Sequence, residues 1–263
     1  MNPRGGLALI QATWSSWLQY RSFFFILAFG WMIPPLIYLW VWSTAAGSRT
    51  IGGLNRGEFV AYYLALILVN QITYSQTNWT VGDLIRYGQM NRLLVRPLSP
   101  LYDALSSEVA GKVVYMVFDV PVVAGLALIL HPELHLTLRN ALAFIPALGL
   151  AWLLRFFWGY WIALLAFWAT RADALLAVQD ALIFLLAGQV APIQLLPAGL
   201  RNAAIVLPFR AMVGFPVEVL TGQLDTSGLW TGLGVQVGWL LIALTLSAIV
   251  WRAGVKHDSA VGG

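Results

Sequence analysis

Long apolar runs recur along this chain so often that a water-soluble fold has nowhere to bury them. Residues 23–42, 59–79, about 109–130, a stretch within 141–170, about 174–190 and about 229–251 are each predominantly apolar. A helix crossing a hydrocarbon core of about 30 Å needs roughly 20 such residues. The polar surface that would solubilise these runs is missing. Of 263 residues, 60% are hydrophobic and 10% charged, against about 45–50% and about 25% in an ordinary soluble domain. The same balance excludes a disordered chain, which needs low hydrophobicity and high net charge. The expectation is an all-α integral membrane protein with six transmembrane helices.

Polar and ring-constrained residues interrupt several runs. The first contains Pro34-Pro35, which should kink or break it. The second is polar in its latter half, with Asn70, Gln71, Thr73, Ser75, Gln76, Thr77 and Asn78. The third carries Asp119 and Pro121, the fourth Arg155. Ahead of the first run, Leu7, Ile10, Trp14, Trp17 and Leu18 recur at spacings of three and four. That pattern predicts an amphipathic helix lying in the membrane interface, so residues 1–21 are read as an interfacial helix. A cleaved signal peptide fits less well, because the following apolar run is too long and ends in Trp40-Val41-Trp42.

Six spans put both termini on one side. Arg4, Arg21, Arg86, Arg92, Arg96, Lys112, Arg171, Arg252 and Lys256 lie on that side, against Arg49, Arg56, Arg139, Arg201 and Arg210 on the other. The positive-inside bias therefore places the termini in the cytoplasm. It also accounts for the net charge of +4 without a nucleic-acid partner.

Two connections stand out. The cytoplasmic one, residues 83–108, contains a basic, proline-bearing segment: Gly88-Gln89-Met90-Asn91-Arg92-Leu93-Leu94-Val95-Arg96-Pro97-Leu98-Ser99-Pro100. The outer one, residues 191–228, is too apolar for a solvated loop, and its prolines forbid one continuous helix. It is expected to form two short helices that enter the outer leaflet and return, breaking near Pro197 and around Pro208 or Pro216. Arg201, Asn202, Glu218, Gln223 and Asp225 should then face the aqueous side or a groove between subunits.

Enzymatic motifs are missing. No phosphate-binding Gly-x-x-x-x-Gly-Lys-Ser/Thr occurs, nor Gly-x-Ser-x-Gly, nor His-Glu-x-x-His. His131 and His135 have helical ligand spacing, but Pro132 intervenes, and they read as loop histidines rather than a metal site. The absence of cysteine excludes disulfides and thiolate-ligated zinc or iron–sulfur clusters. Charges at membrane depth are costly and should face protein. Asp119 and Arg155, on adjacent antiparallel spans, are expected to pair, as a structural contact or as part of an ion relay. Asp173 and Asp180 lie seven residues apart on one helix face, with Asp180 the deeper. Trp14, Trp17, Trp40, Trp42, Trp79, Trp168, Trp230 and Trp251 fall near expected span ends, where Trp belongs.

The order of these parts resembles the ABC-2 type (exporter-type) permease family, in particular its uncharacterised permease components. The resemblance is carried by the interfacial helix, the six spans, the basic segment after span two with its Leu-Leu-x-Arg-Pro-Leu-Ser element, and the outer segment with Leu196-Pro197, Leu207-Pro208-Phe209, Phe215-Pro216 and Gly222. It implies a single transmembrane permease domain over residues 1–263 in a bacterial plasma (inner) membrane. It implies that residues 83–108 couple to a separate P-loop ATPase through Arg86, Gly88, Arg92, Leu94, Arg96, Pro97 and Leu98. ATP and Mg would sit on that partner, and no cofactor on this chain. It implies re-entrant helices in the outer segment, with Pro197, Pro208, Phe209, Pro216 and Gly222 shaping it, and a second permease subunit, the same chain or a related one. The physical reading agrees: Pro97 and Pro100 stiffen the exit, and the arginines can fork onto carboxylates of a soluble partner. They would equally serve the positive-inside bias or anionic lipid. An ion-coupled secondary transporter using Asp119, Arg155 or Asp180 is the alternative, and a membrane scaffold without transport is a third reading. The sequence does not name a transported molecule.

Overall fold

A computed structural model describes Ser15, residues 21–169 and residues 171–261 of the chain. Most of the expected interfacial helix therefore lies outside the described residues. The helices, in chain order, are α1 (Arg21–Ala46), α2 (Arg56–Thr73), α3 (Thr77–Arg86), α4 (Met90–Leu94), α5 (Pro100–Leu130), α6 (Leu138–Leu164), α7 (Ala172–Leu186), α8 (Ala198–Val206), α9 (Pro208–Met212), α10 (Gly214–Leu220) and α11 (Thr226–Val261). Short 3₁₀ turns follow α6 at Leu165–Phe167 and precede α8 at Ile193–Leu195. Among the described residues the only strand-like pairing is a bridge between Ile51 and Leu54.

Three helices, Pro100–Leu130, Leu138–Phe167 and Thr226–His257, are long and apolar enough to cross a membrane. Their outward residues are what lipid requires: Leu128, Leu138, Leu142, Ile145, Leu241 and Ile249 are all exposed. The most extensive helix contact is between α6 and α11. α2 sits at the centre, packed against α1, α5, α6 and α10. Phe59, Tyr62, Tyr63, Leu66 and Val69 are buried on every side of it, the pattern of a helix enclosed by protein. Asn55 starts α2 with a capping box, its side chain accepting from the Glu58 N–H at 2.9 Å while Glu58 accepts from the Asn55 N–H at 2.8 Å.

Several boundaries differ from expectation. α1 runs through both Pro34 and Pro35 without ending. α5 begins at Pro100 rather than near residue 109, because Ser99 caps it by accepting from the Tyr102 N–H and Pro100 takes the first helical position. The second apolar run is not one helix: α2 ends at Thr73 and α3 starts afresh at Thr77. The outer segment holds three short helices instead of two. Pro208 opens α9, and Pro216 lies in the first turn of α10, where a missing N–H leaves no helical bond unmade.

Candidate functional site

The break between α2 and α3 frees backbone groups, and side chains from α5 and α6 reach them. The carbonyl of Asn70 accepts from the Tyr74 N–H at 2.8 Å and takes a longer contact, 3.4 Å, from Arg155 Nη1 on α6. The same Nη1 donates to Asn70 Oδ1 at 2.8 Å and to Thr73 Oγ1 at 3.1 Å. The guanidinium carbon lies 5.1 Å from the centre of the Tyr74 ring. From α5, Lys112 Nζ donates to the Tyr74 carbonyl and, at 2.6 Å, to Glu108 Oε1. Glu108 Oε2 accepts from the Thr77 N–H at 3.1 Å and from Ser75 Oγ at 3.4 Å. The first turn of α3 is then fastened to α6, where Asn78 Nδ2 donates to the Phe156 carbonyl at 3.1 Å. Gly159 makes room for that contact, since a Cβ there would lie 2.3 Å from Asn78 Nδ2.

Arg155 is 3% exposed and Glu108 4%, so these are desolvated interactions, in which an unpaired charge would be costly. Asp180 on α7 acts on Arg155 electrostatically and accepts from the Trp79 side chain. A cavity of ≈ 200 Å³ borders the break, lined by Tyr74, Thr77, Glu108 and Lys112 together with Met90 and Leu93 of α4.

Asp119 is not part of this cluster, and the expected Asp119–Arg155 pair is corrected here. Asp119 is 1% exposed, and among the described residues neither of its carboxylate oxygens has a hydrogen-bond partner. The reason is depth. With α5 starting at Pro100, the α5 residues level with Arg155 are Glu108 and Lys112, and Asp119 stands about 10 Å further along the helix.

Beyond the break, α3 leads into the basic connection. Gly88, at φ +67°, makes the turn between α3 and α4. Met90 is buried at 2% exposure, in one cluster with Val81, Ile85 and Ala104 and with Leu93 packed beside it. The opposite side is presented outward: Arg86, Arg92, Leu94, Arg96 and Pro97 are exposed, and Leu98 is half-buried. Tyr87 and Val95 are exposed between them, Val95 at 85%, and the Arg86 guanidinium lies 5.5 Å from the Tyr87 ring centre.

The outer segment is built in rather than laid on. The Tyr62 hydroxyl donates to the Gly188 carbonyl at 2.9 Å, and Tyr63 and the Trp42 indole both donate to the Val190 carbonyl, at 3.0 and 2.9 Å. Arg210 forks onto Glu218 through Nε at 3.1 Å and Nη2 at 2.5 Å. Glu218 therefore lies buried at 6% exposure instead of facing water. Gln236 Nε2 on α11 donates to the Ala211 and Ala147 carbonyls at 2.9 and 3.0 Å. Pro208 and Phe209 are buried with α9, Pro216 with α10, and Pro197 is exposed ahead of α8. Gly222, at φ +75°, passes so close to the α5–α6 connection that a Cβ would lie 2.6 Å from the His135 carbonyl oxygen. Arg201, Asn202 and Asp225 are exposed. His131 closes α5 in a left-handed conformation, and His135 Nδ1 lies 3.5 Å from Glu58 Oε1. The two histidines share no helix.

Long apolar helices around a buried polar core, with a basic arm on one side, define a multi-pass membrane protein. Residues 29–261 match the family described as ABC-2 family transporter protein, and the chain belongs to that family. Membership makes it an ABC permease subunit, whose general partners are ABC ATPases. No curated protein matches the chain.

Proposed function

We propose that this chain is the permease subunit of an ATP-driven exporter in a bacterial plasma (inner) membrane. It has six spans and cytoplasmic termini, and it forms the translocation path with a second permease subunit, a copy of itself or a related chain. ATP and Mg are bound and hydrolysed on separate P-loop ATPase subunits. The observation that carries this reading is the α3–α4 arm. Met90 anchors it from within, while Arg86, Arg92 and Arg96 flank the exposed apolar Tyr87, Leu94 and Val95 on its outer face. An apolar knob ringed by forked cations suits a groove with carboxylates at its rim on a soluble partner. The arm continues directly from the break in span two, so a push on α4 is delivered to the polar cluster through α3. Residues 191–228 cap the outer end of the path as re-entrant helices, and outward release requires their displacement.

The test is Arg92→Glu with Arg96→Glu, co-expressed with the P-loop ATPase that co-purifies with the parent chain. The double variant should insert at parental level, lose most ATPase co-purification and lower transport-linked ATP hydrolysis. Parental co-purification and hydrolysis would remove the coupling role from this arm.

A further inference from the structure

A groove of ≈ 360 Å³ lies between α6, α11 and the start of α5, lined by Leu101, Phe157, Leu244, Ala248 and Trp251, with Ser99 and Arg252 at one end. Within it the Ser247 hydroxyl donates to the Phe157 carbonyl at 3.1 Å, and Tyr160 completes the lining. Its shape is fixed from behind. Trp251 packs on Phe167 at 6.3 Å between ring centres. Gly254 brings α11 against the same ring, where a Cβ would stand 2.2 Å from Phe167 Cδ2. Small repacking does not close such a groove.

The charged residue lining its mouth is Arg252. Arg252 is exposed, and no carboxylate pairs with it among the described residues. Ser99 accepts from the Tyr102 N–H at 3.2 Å, which leaves its hydroxyl proton available to an acceptor. Arg96 precedes Ser99 by three residues, and Lys256 follows Arg252 by one turn. An apolar trough ending in a cation, on a helix surface that faces lipid, matches a molecule with a hydrocarbon chain and an anionic head.

We propose that this groove holds an acyl chain of an anionic glycerophospholipid from the cytoplasmic leaflet, with its phosphate at Arg252 and Ser99. The assignment of leaflet rests on the topology proposed above. The lipid braces the first turn of α5 against α11, directly after the basic arm, so it stiffens the element that receives a push from α4.

Native mass spectrometry of the full chain released from vesicles of equal dioleoyl-phosphatidylglycerol and dioleoyl-phosphatidylcholine reads this directly. The parent should retain the anionic lipid over the zwitterionic one by about fivefold, the effect of one basic side chain at a charged surface. Arg252→Gln should bring the ratio to near one without lowering total retained lipid, and should leave ATPase co-purification unchanged. Ala248→Trp, or the milder Ala248→Leu where the larger ring impairs folding, should reduce retained lipid of both kinds. Arg252→Gln with the parental preference, or a filled groove with the parental lipid complement, overturns the proposal. So does a disulfide between copies through Ala248→Cys, which would show a second chain seated there. Loss of ATPase binding by the arm variant bears on the exporter reading alone.

Discussion

Arg155 Nη1 and Asn70 Oδ1 meet at 2.8 Å across α6 and the end of α2, a buried cation held by a neutral amide. Removing the amide takes away the shortest of the hydrogen bonds that hold the charge. Asn70→Ala should lower the stability of the purified protein by about 1.5–3 kcal/mol, the range for a hydrogen bond to a charged group. Asn70→Ala with Arg155→Met should cost less than the sum of the two single changes. Thermal unfolding in detergent measures the cycle, and strict additivity would deny the contact.

Asp119 should behave in the opposite way, because among the described residues it has no hydrogen-bond partner to lose. Asp119→Asn should leave stability unchanged or raise it by about 1 kcal/mol, since an unpaired buried carboxyl is a cost. Its effect should add to that of Arg155→Met. A clear loss on Asp119→Asn would reveal a partner, and loss of proton-coupled transport without ATPase would favour the ion-coupled reading.

Glu108 serves Lys112, Ser75 and the Thr77 N–H together. Glu108→Gln should therefore destabilise by about 2–3 kcal/mol, as expected when a buried charge loses its charged partner. Lys112→Met in the same chain should recover part of the loss. Hydrogen exchange localised to residues 74–80 reads the effect at the break itself.

Gly222 combines a left-handed backbone with a carbonyl 2.6 Å from its vacant Cβ position. Gly222→Ala should cost at least about 1–2 kcal/mol in thermal stability, from the backbone term alone. An unchanged melting temperature would mean that the outer segment does not sit this tightly on residue 135.

Single cysteines, introduced into a chain with none, report the exposure of the outer segment. Positions 201, 202 and 225 should react with a membrane-impermeant thiol reagent from outside. Positions 209, 211 and 217 should be protected, since the native residues are buried. Uniform reactivity from 192 to 228 would mean an ordinary solvated loop.

The membrane class, the central helices and the unusual outer segment are all legible in hydropathy, because a lipid solvent imposes the same demand at every position. The break between α2 and α3 is half legible. The polar run from Asn70 to Asn78 marks it, but a polar run alone does not say where hydrogen bonding stops. Thr73 and Thr77 become helix ends only because Lys112 and Glu108 arrive to satisfy what lies between. The partners of Arg155 escape sequence reasoning because Asn70 and Thr73 carry no charge, and matching charge to charge led to Asp119 instead. The early start of α5 has a local signal in Ser99-Pro100, the cap and first-turn pair, which would have moved Asp119 out of reach. Glu218 looks like a surface acid until Arg210, eight residues earlier, is folded back against it.

The discontinuity at residues 74–76 gives α2 and α3 different allegiances. α2 is tied through Tyr62 and Tyr63 to the turn at Gly188–Val190, and α3 through Asn78 to α6. What joins them, apart from the chain itself, is a handful of side-chain bonds from Arg155, Lys112 and Glu108. A transporter must never leave a continuous leak, so its two ends have to be timed against each other. On the permease function proposed above, that timing would have a physical address: a joint whose slack is set by the buried Arg155 and Glu108 and the half-buried Lys112, independent of how firmly either end is gripped.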